Sequence, residues 1–117
     1  MIKIWHNTRC SKSREAKTIL EQSGQEFEVF EYLKNDINPE ELKEIIKLLD
    51  ISDVREMLRT KEDEYKLLDL ANENKSDDEL IGAMILFPKL IERPIIIKED
   101  KAVIARPMEN LTNLLGI

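Results

Sequence analysis

The chain carries a single cysteine, Cys10, in the run His6-Asn7-Thr8-Arg9-Cys10-Ser11-Lys12-Ser13-Arg14-Glu15. His6, Arg9, Lys12 and Arg14 make this stretch locally basic in a protein whose formal net charge is −6. A short apolar strand (Ile2 to Trp5) precedes the run and a helix follows it, so Cys10 falls at a helix N-terminus. Free backbone N–H groups and about half a positive charge reside there, and both favour a thiolate or a bound oxyanion. An ordinary thiol, with pKa ~8.5, is only about 3% ionised at pH 7. Making the thiolate the majority form requires roughly 2.7 kcal/mol of preferential stabilisation. A helix terminus supplies ~0.3–1 kcal/mol, rising to ~2 in a partly buried geometry. Arg9, Lys12, Arg14 or His6 must therefore contribute. The competing reading is a buried structural cysteine, against which stand its polar neighbours Arg9 and Ser11.

Arg93 and Arg106 form a second signal. Each directly precedes a proline and abuts one of two short apolar strands. A residue before proline is held extended, so the direction of each arginine is constrained. Guanidinium forks at one rim of a sheet suit a tetrahedral or planar oxyanion. Two solvent-exposed arginines beside ordinary prolines are the alternative. Arg59, in Met57-Leu58-Arg59-Thr60-Lys61, reads by itself as an exposed helical charge. His6 is either a satisfied strand-end histidine or a group that orients the thiolate. Trp5 and Tyr32 read as core.

Positioning these residues requires a scaffold, and its elements are legible in outline. Residues 2–6 read as a strand and Ser11 to Gly24 as a helix, with Ala16, Ile19 and Leu20 on one face and Gly24 as its stop. Phe27 to Tyr32 alternates as a second strand, completing a βαβ unit with a parallel pair. Pro39 to Leu49 is helical in spacing, with Asn38 as N-cap and Pro39 at the first position. A short helix follows from Ser52, where no capping box is read at Ser52 and Arg55. Others run from Glu62 to Leu68 and from Ser76 to Leu86, the last opened by a capping box (Ser76, Glu79) and closed by Pro88. Ile95–Ile97 and Ala102–Ile104 form a hairpin around Lys98-Glu99-Asp100-Lys101, and a final helix runs from Pro107 to about Leu115. The order is βαβ, helices, ββα. It predicts an α/β chain with a thioredoxin-like fold, residues 1–117 as one domain and residues 36–90 as a helical insertion between the two halves.

Composition bounds the function. The 117 residues are 42% apolar and 36% charged, which describes a soluble globular domain. The negative charge argues against non-specific binding to nucleic acid or an anionic membrane. No apolar run reaches a membrane span and no signal peptide is visible. One cysteine and one histidine exclude an internal disulfide and make a structural metal site a poor expectation. A reducing cytoplasm is the expected compartment.

HNTRCSKSRE, MLRTKEDEY, LIERPIII and ARP together resemble the glutaredoxin-coupled arsenate reductase (ArsC) family, in order and over nearly the whole chain. The resemblance is to its shorter bacterial branch. It implies a thioredoxin-like fold with a helical insertion and reduction of arsenate to arsenite, with arsenate or a similar oxyanion as the small-molecule partner. Cys10 would form an adduct with arsenate, glutathione would act as co-substrate with no bound cofactor, and glutaredoxin would be the protein partner. Arg59, Arg93 and Arg106 would hold the oxyanion, while His6, Ser13 and Arg14 would tune or orient Cys10. The lone cysteine fits this scheme because the other thiols come from outside. The Arg93–Pro94 bond is expected to be cis, as thioredoxin-like folds often place a cis-proline before this strand. The chain departs from the family in carrying Thr8 where members commonly have proline, which implies a less rigid approach to the cysteine, and in ending at Ile117 without the longer tail of plasmid-type enzymes. Alternative readings are a regulatory binding protein of the Spx type and a glutathione-linked thiol oxidoreductase with another substrate. Against the former, Ser13 stands where a Cys-x-x-Cys pair would need its second cysteine.

Overall fold

In the computed structural model, which describes residues 1–117, the elements follow the expected order. The chain divides into two compact units, one made of Met1–Asn35 and Arg93–Ile117, the other of Asp36–Glu92.

The first unit is a four-stranded sheet with two helices. Strand β1 (Ile2–Trp5) pairs parallel with β2 (Phe27–Phe30) on one side and antiparallel with β3 (Ile95–Lys98) on the other, and β3 pairs antiparallel with β4 (Lys101–Ile104). The spatial order is β2-β1-β3-β4. Helix α1 (Ser11–Gln22) is the parallel crossover and α5 (Glu109–Leu115) closes the chain. Strand alternation sends Ile2, Ile4 and Ile96 to one face, where they pack with Ala16 and Leu20 of α1 and Leu111 and Leu115 of α5. Trp5 points the other way, stacked on Tyr32 at 6.0 Å and tilted against Phe30 at 5.1 Å. This is a thioredoxin-like α/β fold.

Local differences from the sequence reading have local causes. Strand β2 ends at Phe30 rather than Tyr32, and Val29 is exposed because β2 is an edge strand. Helix α1 ends at Gln22, and Gly24, at φ +73, takes the left-handed conformation that stops it. The hairpin strands each gain a residue, since Lys98 pairs with Lys101 and leaves a two-residue turn. The last helix starts at Glu109, two residues after Pro107.

The second unit is helical. Helix α2 (Pro39–Leu49) begins where expected, with the Asn38 side chain accepting from the N–H groups of Glu40 and Glu41. Residues Val54–Met57 form a 3-10 turn rather than an α-helix. Its cap is Asp53, which forms a capping box with Glu56, one residue beyond Ser52 and Arg55. Helices α3 (Asp63–Leu67) and α4 (Asp77–Leu86) follow, the latter with the expected Ser76–Glu79 box. A 3-10 turn, Pro88–Leu90, leads to an isolated antiparallel bridge between Ile91 and Leu58. No helix is long and apolar enough to cross a membrane.

Candidate active site

Cys10 is the N-cap residue of α1 and is buried, with extended backbone angles (φ −93, ψ 122). The turn that delivers it is built from Asn7. The Asn7 carbonyl accepts from the Cys10 N–H at 3.0 Å, and its side-chain oxygen accepts from the Arg9 N–H at 3.0 Å. The Asn7 N–H donates to the Ser13 hydroxyl at 3.0 Å, and Arg14 Nη1 donates to the Thr8 carbonyl at 3.0 Å. These bonds tie the loop on both sides of Thr8, the position at which a proline would otherwise restrict it.

Ser13 is fully buried one turn into the helix, and its Oγ lies 2.6 Å from His6 Nδ1. That hydroxyl already accepts from Asn7, so its single proton is free to go to the imidazole. Burial, and next the positive charge of Lys17, hold His6 below its ordinary pKa; Glu31 pulls it up and Arg14 lowers it further. These influences favour the neutral imidazole, which ties the end of β1 to the start of α1 through Ser13.

Two opposed influences act on the thiol. Burial pushes the Cys10 pKa up, but the Ser13 N–H, the Arg93 guanidinium and the Lys12 N–H outweigh it, leaving the pKa below the ordinary thiol value. Arg93 acts both by a hydrogen bond to the sulfur and by its charge. Its Nε and Nη1 are buried without a hydrogen-bond partner. Buried donors without partners are rare in proteins, and here they belong to the group that already faces the nucleophile. Arg106 reaches the same sulfur, with Nη2 at 3.6 Å, while its Nε donates to the Arg93 carbonyl at 2.7 Å.

The structure thus brings Cys10, Arg93 and Arg106 together from residues 96 apart in sequence at the extreme. The pairing of β1 with β3, and of β3 with β4, does this: Trp5 lies opposite Ile95, and Ile95 opposite Ile104. The chain segments leaving these positions all meet at one rim. The Arg93–Pro94 bond is cis as expected, and so is Arg106–Pro107. Arg14 is exposed and turned to the Thr8 carbonyl. Arg59 belongs to the helical unit, where its N–H donates to the Leu90 carbonyl at 2.7 Å. Its guanidinium pairs there with Glu62 at 2.6 Å and more loosely with Glu92 at 3.8 Å. Two hollows of about 210 and 320 Å³ flank the loop before Cys10 and share His6 and Thr8.

The sequence reading did not assign Asn7 a role, although an Asn two residues before a loop N–H is a known turn signal. Chemically, the site presents a thiolate-prone sulfur beside two guanidinium groups, one with spare buried donors. No group of three or more His, Cys, Asp or Glu side chains is placed to hold a metal. A nucleophile of this kind can attack an oxyanion whose charge the arginines neutralise.

Comparison with known proteins agrees with this geometry. The model of the ArsC family matches residues 5–114. A protein named arsenate reductase from Neisseria meningitidis serogroup A is 45% identical over 114 residues, covering 97% of each chain. The protein YfgD of Escherichia coli K12 is 44% identical over 115 residues, covering 98% of this chain and 97% of its own. Among solved structures, an arsenate reductase from Vibrio cholerae superposes with a TM-score of 0.92 at 43% identity, covering 96% of this chain and 95% of that one. From the fold, the matched family model and these relatives together, the chain belongs to the ArsC family.

Proposed function

We propose that this protein reduces arsenate to arsenite with Cys10 as nucleophile and external thiols as the reductant. The observation that carries the reading is the meeting of Cys10 with Arg93, whose Nε and Nη1 are buried donors without a partner. Relatives named arsenate reductase, matched over nearly their full length, support the choice of oxyanion.

The Cys10 thiolate attacks arsenic and an arsenate oxygen leaves as water, giving a Cys10–S–As(V) adduct. Glutathione adds to the arsenic through its own sulfur with loss of a second water. A glutaredoxin thiolate then attacks the glutathione sulfur. A glutaredoxin–glutathione disulfide forms, and the electron pair of the broken S–As bond stays on arsenic, which becomes As(III). Water hydrolyses the remaining Cys10–S–As bond, releasing arsenite and the thiol. The two electrons come from glutathione and glutaredoxin, so a chain with one cysteine ends each cycle unoxidised. Arg93 and Arg106 neutralise the oxyanion and the charge that builds up on attack. The family resemblance assigns Arg59 to the same oxyanion. The compartment that supplies both thiols is a reducing cytoplasm.

Arsenite formation measured with glutathione and glutaredoxin tests the proposal. Wild-type protein should turn over and Cys10→Ser should not. Turnover surviving in the serine variant, or absent from wild type, would overturn it. Turnover with glutathione and glutaredoxin on a disulfide substrate but not on arsenate would favour a thiol oxidoreductase with another substrate.

A further inference from the structure

Arg106 is held in place by contacts that begin away from the sulfur. The carbonyl of Ile104, the last residue of β4, accepts the Arg106 N–H at 2.8 Å. It also accepts the side-chain amide of Asn110 at 2.9 Å. The same amide nitrogen lies 3.5 Å from the Arg106 carbonyl. A carbonyl oxygen has two lone pairs, and Ile104 spends both on closing this turn. Both neighbours of the amide are carbonyl oxygens, so only its nitrogen can face them.

Asn110 is half-buried in the first turn of α5, and the next residue, Leu111, is fully buried in the core with Ile4 and Ile96. The amide therefore hangs from a fixed point. Opposite it, the Ala105 N–H donates to the Pro94 carbonyl at 3.0 Å. The backbone from Ile104 to Arg106 is thus tied to α5 on one side and to the Arg93–Pro94 segment on the other. From that backbone the Arg106 side chain reaches the Arg93 carbonyl with Nε and Cys10 Sγ with Nη2. An asparagine early in a helix ordinarily serves by accepting backbone N–H groups with its oxygen. This one donates upstream instead, into the turn that carries the arginine.

We propose that Asn110 is a positioning residue for the Cys10 site, holding the Ile104–Arg106 turn so that the Arg106 guanidinium faces the sulfur. Its side-chain amide bonds the Ile104 and Arg106 carbonyls and not the sulfur. Its effect on the thiol rests on contacts seen in the structure, while its effect on oxyanion affinity rests on the function proposed above.

The test is Asn110→Leu in the full chain, which keeps the branched shape and favours the helix but removes the donor. Cys10 alkylation by iodoacetamide is followed against pH, and protection by arsenate is measured at one pH. The alkylation midpoint should move up. The arsenate concentration for half-protection should rise about three- to tenfold, the range for one lost hydrogen bond. In an Arg106→Lys background the same substitution should leave both readouts where Arg106→Lys alone sets them. A leucine variant that matches wild type in the alkylation profile, or whose effect simply adds to Arg106→Lys, overturns the proposal. Should the leucine variant fail to fold, Asn110→Ala is read by the same criteria. Failure of arsenate to protect even wild-type Cys10 would count against the oxyanion reading, and the alkylation profile would still decide the role of Asn110.

Discussion

Arg106 Nε donates to the main-chain carbonyl of Arg93 at 2.7 Å, so the two arginines that face Cys10 are coupled through backbone rather than merely neighbours. The bond uses one edge of the Arg106 fork and leaves Nη2 for the sulfur. A lysine ammonium is a point charge without that fork and cannot span both partners. Arg106→Lys should therefore raise the arsenate concentration for half-protection of Cys10 about tenfold, a loss of ~1.4 kcal/mol, with thermal stability little changed. Equal protection in the lysine variant would show that charge alone matters there.

Arg93 acts on the thiol itself. Its hydrogen bond and charge lower the Cys10 pKa against the upward push of burial. Arg93→Met keeps an apolar stem and removes both effects. The midpoint of the thiolate absorbance titration should move up toward the ordinary value of ~8.5. A midpoint unmoved by the substitution would assign the lowering to the Ser13 and Lys12 N–H groups together with Arg106.

Ser13 contributes through two separable groups. Its N–H favours the thiolate, whereas its hydroxyl serves His6 Nδ1 and the Asn7 N–H. Ser13→Ala keeps the N–H and orphans two polar groups, at a cost of about 1–3 kcal/mol. Urea denaturation should show that loss while the alkylation midpoint moves far less than in Arg93→Met. A large thiol shift without loss of stability would reverse the assignment.

His6 makes stability depend on pH. Its folded pKa lies below the ordinary value of ~6.5, chiefly from burial, with Lys17 and Arg14 lowering it and Glu31 opposing. The unfolded chain then binds more protons in this range, so the His6 contribution is present above pH ~6.5 and is lost as pH falls through the folded pKa. The carboxylates with lowered pKa values (Asp53, Glu56, Glu64 and Glu79) act in a separate, more acidic window. Denaturation midpoints measured from about pH 7.5 down to about pH 5.5, around the ordinary histidine value, should fall in wild type and stay flatter in His6→Gln. Parallel curves would remove His6 as the source.

Much of the scaffold was legible because its causes are local. The i, i+3, i+4 spacing of Leu42, Ile45, Ile46 and Leu49, the Asn38 cap and the Ser76–Glu79 box act within one helix, and the structure contains each as read. Boundaries slipped where neighbouring elements decide them, as at the edge strand β2 and at the start of α5. At Val54–Met57 the sequence does not distinguish a 3-10 turn from an ordinary helix, because four residues carry too little periodicity to separate the two.

The sequence by itself determined that one cysteine sits at a strand-to-helix junction, flanked by basic residues and without a second thiol. It also marked Arg93 and Arg106 through the prolines that follow them. Only the tertiary structure decided that both guanidinium groups meet the Cys10 sulfur, that Arg93 keeps buried donors without partners, and that Ser13 joins His6 to the loop. These relations depend on the register of β1 with β3 and of β3 with β4. A one-residue slip in that register would turn every side chain to the opposite face, and long-range pairing of this kind leaves no periodic trace in the chain. Asn110 shows the same limit most plainly: in sequence it is a polar residue in a short helix, and its place against the Ile104 carbonyl exists only once α5 is packed on the sheet.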